Sequence, residues 1–298
     1  MKFISDNNVT GINSNNLKGS YQKAHFDWLR LRYQLDAAAR DQSLESQALT
    51  QLSKREQLRV LDLGAGAGAN ICYYARLLPS STQWWMVERD SELLKRIPQF
   101  IIEFLGEKIN TVHPLKDDFL APDCPIYKTS FDLVVANAVF DLLSADQFQG
   151  LLQLFRQAWE EESPLFLFTL NLDRGIRFYP TDKETERWCR RYEFHMHRSQ
   201  HFGRAMAAHC GGEMEKLFLE NGFNVNSASS AWDILPLQEE ALLAKLDFFE
   251  KAMAESISPR SQQWYLFQRW LRRKRYQARR RKLSLHVPHR DFLARIRT

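Results

Sequence analysis

The sequence predicts an α/β fold, a doubly wound and mainly parallel sheet with helical additions at both ends. Two observations carry this. The run LRVLDLGAGAGAN at 58–70 joins an aliphatic strand pattern to a glycine-rich turn and then to the start of a helix. Further along, short apolar runs bounded by turn residues alternate with helical patterns, as in a sheet covered on both faces.

Leu58 to Leu63 read as the first buried strand. Gly64, Ala65, Gly66 and Gly68 follow, and glycines here let the backbone turn sharply and approach a ligand with no Cβ in the way. A helix starts near Asn70, so its first N–H groups should point into the turn, an arrangement that binds nucleotides. QWWMVE at 83–88 reads as the second strand, and Glu88 ends it at the spacing where a ribose diol is commonly held, with Arg89 next to it. Gly64, Gly66 and Ala69 also satisfy the loose G-x-G-x-x-G/A pattern of NAD sites. Asp62 tips the balance, because a carboxylate there would repel a pyrophosphate and suits a cationic ligand.

The D-x-G-x-G-x-G spacing at 62–68 resembles the first motif of the class I S-adenosylmethionine-dependent methyltransferases, Rossmann-like enzymes, in their small-molecule branch. The resemblance covers about 58–234 and is strongest over 58–141. It implies S-adenosyl-L-methionine as cofactor, whose sulfonium and ammonium match the sign of Asp62. INTVHPL (109–115) then becomes the third strand, with one of Asp117 and Asp118 accepting from the adenine amino group and Phe119 flanking the base. FDLVVANAVFDLLS (131–144) resembles the fourth motif, placing Asn137 and Asp141 toward the methyl group or the acceptor. PLFLFTL (164–170) and NGFNVNSASSAWDI (221–234) supply strands five and six. The family ends on an antiparallel seventh strand, which Leu283–Val287 would form after a helical excursion. N-terminal helices in this family often close over the cofactor, and Arg40, among Arg30, Arg32 and Arg40, is the candidate for the methionyl carboxylate.

The organisation expected is a disordered polar tail over 1–19, a helical cap over 20–56 and a methyltransferase domain over 57–234. Within that domain, 171–210 is a substrate-lid insertion, and 235–298 is a helical extension with the final strand. No window suits a membrane span, the N-terminus lacks a signal-peptide core, and the four cysteines form no C-x-x-C pair. A cytoplasmic enzyme without a metal is the expectation. An acceptor oxygen or nitrogen must lose a proton, and His197 in the insertion and Asp141 are the candidate bases. His195, two places from His197, would face another direction on a helix.

The net charge of +5 hides an asymmetry, for RWLRRKRYQARRRK at 269–282 is strongly basic and contains no acid. Such a run could hold nucleic acid. Its aromatic residues, however, recur at helical spacing, which favours a helix packed on a core with the basic residues as its solvated face. The base-methylation signature N/D-P-P-Y/F is replaced by NAVF, which counts against base amino methylation and leaves other RNA targets open. The preferred reading is a methyltransferase with a small-molecule substrate. A nucleic-acid methyltransferase and an NAD-dependent oxidoreductase are the alternatives.

Overall fold

The structure, a computed structural model, describes residues 14–106, 109, 111–200 and 203–297. Its strands are β1 (Arg59–Leu63), β2 (Gln83–Glu88), β3 (Val112–Lys116), β4 (Leu133–Asn137), β5 (Leu165–Leu172), β6 (Arg177–Tyr179), β7 (Ser199–Gln200), β8 (Gly203–Arg204), β9 (Phe223–Ile234) and β10 (Ser284–Ile296). The helices are α1 (Ser14–Ala39), α2 (Gln42–Leu52), α3 (Ala69–Tyr74), α4 (Ser91–Leu94), α5 (Ile97–Leu105), α6 (Ala145–Trp159), α7 (Lys183–Met196), α8 (Cys210–Glu220), α9 (Glu239–Ser256) and α10 (Gln262–Arg279).

The main sheet runs β3-β2-β1-β4-β5-β10, with β9 along the outer side of β10. β1 to β5 are parallel, while β10 is antiparallel to both β5 and β9. The final strand therefore wedges between the fifth and the one before it in sequence. Seven strands match the expectation, and β6 adds an eighth. It pairs with Ser284–His286 of β10, beyond the stretch that β5 occupies. The third strand begins three residues later than the apolar pattern suggests.

Alternation along the strands sorts the core into two layers. Val134 and Ala136 face α6 and α8, where Phe148, Phe155 and Phe218 pack on Phe166 and Phe168. Leu133 and Val135 face the other way, toward Ile71 of α3, Phe100 of α5 and Tyr33 of α1. Both faces being covered, every residue of β5 is buried.

A third apolar cluster unites α7, α9 and α10 with β6 and the ends of β9 and β10. Trp188, Phe249, Phe267 and Trp270 fill it, and Trp270 Nε1 donates to Thr185 Oγ1 at 3.1 Å. The 171–210 insertion thus gives one strand to the sheet and buries α7 in a core. The aromatic stripe of α10 packs inward, with Phe267, Trp270 and Leu271 fully buried. α1 opens at Ser14, inside the stretch expected to be a disordered tail, of which 1–13 lie outside the described residues. Once a helix is anchored, here by buried Phe26, Tyr33 and Leu35, extending it by a few turns costs little.

One side chain locks several elements together. Asp291, at a bulge in β10, accepts from the N–H of Leu170, the hydroxyl of Ser230 and the N–H of Asp41 at 2.7, 2.6 and 2.8 Å. Leu170 sits at φ 57°, a left-handed conformation that these bonds hold in place.

Candidate cofactor and acceptor site

β1 delivers the chain into the glycine turn. Gly64 and Gly66 have φ of +64° and +55°, and a Cβ on Gly64 would come within 2.8 Å of Val139 Cγ2. Glu88, at the end of β2, clasps the turn: Gly66 N–H donates to its Oε2 at 3.0 Å, and Asp90 N–H donates to its Oε1 at 2.9 Å. A half-buried carboxylate at this place is already oriented by two backbone donors.

Asp62 is fully buried beneath the turn. Asn70 Nδ2 donates to its Oδ1 at 2.8 Å, but its Oδ2 has no partner. Burial pushes the carboxyl up to about 7, opposed by the Asn70 hydrogen bond and the Arg40 charge. Arg40, also buried, donates to Asn70 Oδ1 at 2.7 Å and to the Tyr74 hydroxyl at 2.8 Å. Its guanidinium lies over the rings of Tyr73 and Tyr74, and its Nε has no partner. An Arg40–Asn70–Asp62 relay therefore fixes the orphaned carboxylate oxygen.

The exits of the other strands bring in fewer of the expected residues. Asp117 accepts from Asp118 N–H at 2.7 Å, and Asp118 accepts from Leu120 N–H at 3.0 Å while pairing with Arg89 at 3.7 Å. Both aspartates shape the turn after β3, and Glu88 pairs in register with Lys116 just before it. Phe119 is buried in the core beside α6, which leaves little of its ring free for a base. Asn137, at the end of β4, donates from Nδ2 to Asp36 Oδ2 at 2.8 Å and accepts from Thr169 Oγ1 at 3.1 Å.

α1 lies across the turn. Leu29, Arg32 and Asp36 line a cavity with Gly64, Gly66, Asn70, Phe100 and Asn137, and only about 50 Å³ remains there. That volume suits water and not a nucleoside. The residues beneath fit S-adenosylmethionine: a turn shaped by glycines, an oriented carboxylate at Glu88 and an unpaired buried carboxylate at Asp62. α1 covers this cavity through Leu29, Arg32 and Asp36.

The two candidate bases separate. Asp141 lies in a helical turn (Phe140–Leu142) just past β4, and its Oδ1 is buried without a partner. Burial raises its pKa, against the pull of Arg32 and Lys245. It does not cap α6, because Ser144 and Gln147 form the capping box there. His197 caps the end of α7, contacts the Ala205 carbonyl at 3.3 Å and meets the His209 ring at a tilt, with centroids 4.3 Å apart. It lines a different cavity, with His195, Arg198 and Glu255, and no wall of the glycine-turn cavity. Asp141 does not line the glycine-turn cavity either, but it feels the charge of Arg32, which does. Arg30 points elsewhere and pairs with Glu103.

Several residues at the site carry no motif. Asp36 accepts from Arg32 Nε, Asn137 Nδ2 and Trp232 Nε1 at 3.0, 2.8 and 3.0 Å. Lys245 of α9 is buried over the rings of Trp28, Trp232 and Phe248, and His289 of β10 meets the edge of Trp232. One signal was available: Arg32, Asp36 and Arg40 recur at four-residue spacing, one stripe of α1. Nothing in the sequence points to Lys245 or His289. All four cysteines are free and buried. Among the described residues no cluster of His, Cys, Asp and Glu could hold a metal ion, and no helix is long and apolar enough to cross a membrane.

The strand order, with an antiparallel last strand between the fifth and the sixth of the seven, decides the fold. It is a Rossmann-like fold that carries the antiparallel seventh strand expected from the resemblance. Residues 32–179 match a family described as "Protein of unknown function (DUF938)". Among solved structures, the chain is similar to a protein provisionally assigned as a sarcosine dimethylglycine methyltransferase from Galdieria sulphuraria, at 17% identity and a TM-score of 0.47, over 85% of this chain and 84% of that one. It is also similar to the YcgJ protein of Bacillus subtilis, at 13% identity and a TM-score of 0.49, over 85% and 99%. A third is Haemonchus contortus phosphoethanolamine N-methyltransferase 2, solved with phosphomonomethylethanolamine and S-adenosylhomocysteine, at 17% identity and a TM-score of 0.41, over 85% and 52%. No curated protein matches the sequence. These likenesses concern fold alone, and the weight rests on the strand order.

Proposed function

We propose that the protein is an S-adenosylmethionine-dependent methyltransferase acting on a small-molecule acceptor. The observation that carries this reading is Asp62, a fully buried carboxylate with an unpartnered oxygen beneath a glycine turn. Leaving such a group unpaired is costly, and a ligand ammonium would offset the cost. A dinucleotide pyrophosphate would add to it. When bound, S-adenosylmethionine supplies an electrophilic methyl group, so the protein's work is positioning and water exclusion.

The roles follow from place. Gly64, Ala65, Gly66, Gly68 and Asn70 shape the cradle, and Glu88 is set to accept from a ribose diol. Arg40 is a positioning residue, because its Nη groups are committed to Asn70 and Tyr74. Asp117, Asp118, Phe119 and Arg89 border the adenine end, where the aspartates act mainly through the turn they build. Asn137, held between Asp36 and Thr169, faces the transfer region, and Asp141 is the group there able to accept a proton from the acceptor. His197 is assigned to α7 capping. For a nucleic-acid acceptor, α10 keeps only Tyr265 and Tyr276 as exposed aromatics for stacking, so the small-molecule reading leads.

Glu88→Ala tests the assignment. It should weaken S-adenosylmethionine at least tenfold by calorimetry while lowering stability by about 2–3 kcal/mol, the value of the two hydrogen bonds lost. Unchanged affinity with lowered stability would leave Glu88 as a clasp and nothing more.

A further inference from the structure

Beside the cofactor cavity, two cations share one aromatic ring. Arg32 Cζ stands 5.2 Å from the Trp232 centroid and Lys245 Nζ stands 5.3 Å from it. Trp28 and Phe248 complete the walls around Lys245, at 5.9 and 5.7 Å. Rings attract a cation but satisfy none of its hydrogen-bond donors. Arg32 spends Nε on Asp36, and its Nη2 is buried without an acceptor. Lys245 is 9% exposed, and its pKa is held down to about 8 by burial first and by Arg32 next, against the opposing pull of Asp141. His289, 4% exposed with an unpartnered Nδ1, lies at the same Trp232 ring. Arg32 is half-buried and already paired with Asp36 through Nε, yet its Nη2 has no acceptor, and Lys245 beside it lies among rings. A further anion would satisfy the free guanidinium donor and offset the repulsion between the two cations.

We infer that Arg32 and Lys245 form the binding site for an anionic group, a carboxylate or phosphate, on a methyl acceptor whose apolar or aromatic body lies along Trp28, Trp232 and Phe248. This rests on the methyltransferase reading for the word acceptor, but the anion site stands on its own geometry. Arg32 and Asn137 line the cofactor cavity, so the anion lies next to the transfer region. A groove of about 410 Å³ between α1 and α9 shares Trp28 and Phe248 with the site and gives room for the ligand body. Asp27, Glu240 and Asp247 outnumber Lys251 on its walls, and this net negative lining favours turning an anionic end inward toward Arg32 and Lys245. Asp141, already within the field of both cations, is then positioned to accept the proton of an acceptor O–H or N–H. A cationic amine is disfavoured here, because Lys245 itself occupies the cage.

The test is calorimetric titration of the full chain, with and without S-adenosylhomocysteine, using four probes: 4-hydroxybenzoate, phenyl phosphate, 4-hydroxybenzamide and methyl 4-hydroxybenzoate. The first two distinguish carboxylate from phosphate, and the last two remove the charge. Binding of one or both anions at least tenfold tighter than the neutral probes is expected. Lys245→Gln should erase that preference, Lys245→Arg should retain it, and S-adenosylhomocysteine affinity should stay within about twofold in both. No anion binding, equal binding of the neutral probes, or an undiminished preference in Lys245→Gln with native circular dichroism would overturn the inference. Failure to bind S-adenosylhomocysteine would instead count against the methyltransferase reading, and the titrations without it would still decide the anion site.

Discussion

Asp62 makes a pH-dependent claim at the scale of one residue. Its folded pKa of about 7 lies above the ordinary carboxyl range. The folded state therefore loses stability as pH rises from about 4, where the unfolded carboxyl ionises, and the loss is complete above about pH 7. Asp62→Asn should accordingly raise stability by about 4 kcal/mol at pH 8 and leave it nearly unchanged at pH 4, read by urea unfolding at both values. The same variant should lose at least tenfold in S-adenosylmethionine affinity. A variant less stable at pH 8 would show that the carboxylate is a structural partner of Asn70 only. Gly66→Val places a β-branched side chain at φ +55° beneath Leu29, and cofactor binding should vanish with it.

Among the elements, α1 has the largest consequence for function. Leu29 lies 3.8 Å from where a Gly66 Cβ would be, so on the proposed function the helix covers the place assigned to the cofactor. Leu29→Ala should speed S-adenosylmethionine association several-fold in stopped-flow fluorescence, and an unchanged rate would mean that entry avoids α1. Asp291 holds the N-terminal end of α2 through Asp41, and Asp291→Asn should cost about 2–4 kcal/mol in urea unfolding, because Leu170, Ser230 and Asp41 would compete for fewer acceptors. The glycine turn and the strands were legible because their periodicity and spacing follow from local rules. The Phe119 ring was less legible: a motif position says where the backbone goes, while the core decides how much of a phenyl ring stays free. Lys245, Trp232 and His289 meet from α9, β9 and β10, far apart in the chain, and no local pattern announces such a meeting.

For the whole molecule, the helical cluster of α7, α9 and α10 turns apparent appendages into a second core joined to the sheet by β6. The basic run resolves in the same way. Arg273 pairs with Glu184 at 2.9 Å, Arg275 with Glu250 at 2.7 Å, and Lys274 donates to the Pro180 carbonyl at 2.7 Å. Arg279, Arg280 and Arg281 remain exposed at the end of α10. Replacing these three with glutamine should shift the thermal midpoint by no more than about 1 °C, since exposed charges contribute little. A midpoint several degrees lower would place them in the folding energetics. The antiparallel last strand was expected from family resemblance. Its length, and the eighth strand beside it, depend on tertiary pairing that composition does not encode.

The most direct measurement is calorimetric titration of the protein with S-adenosylmethionine, S-adenosylhomocysteine and NAD in parallel, with Gly66→Val as the control. Micromolar binding of the first two, no binding of NAD, and loss of both signals in the variant are the expected results. Binding of NAD alone, or equal affinity in Gly66→Val, would contradict the methyltransferase reading.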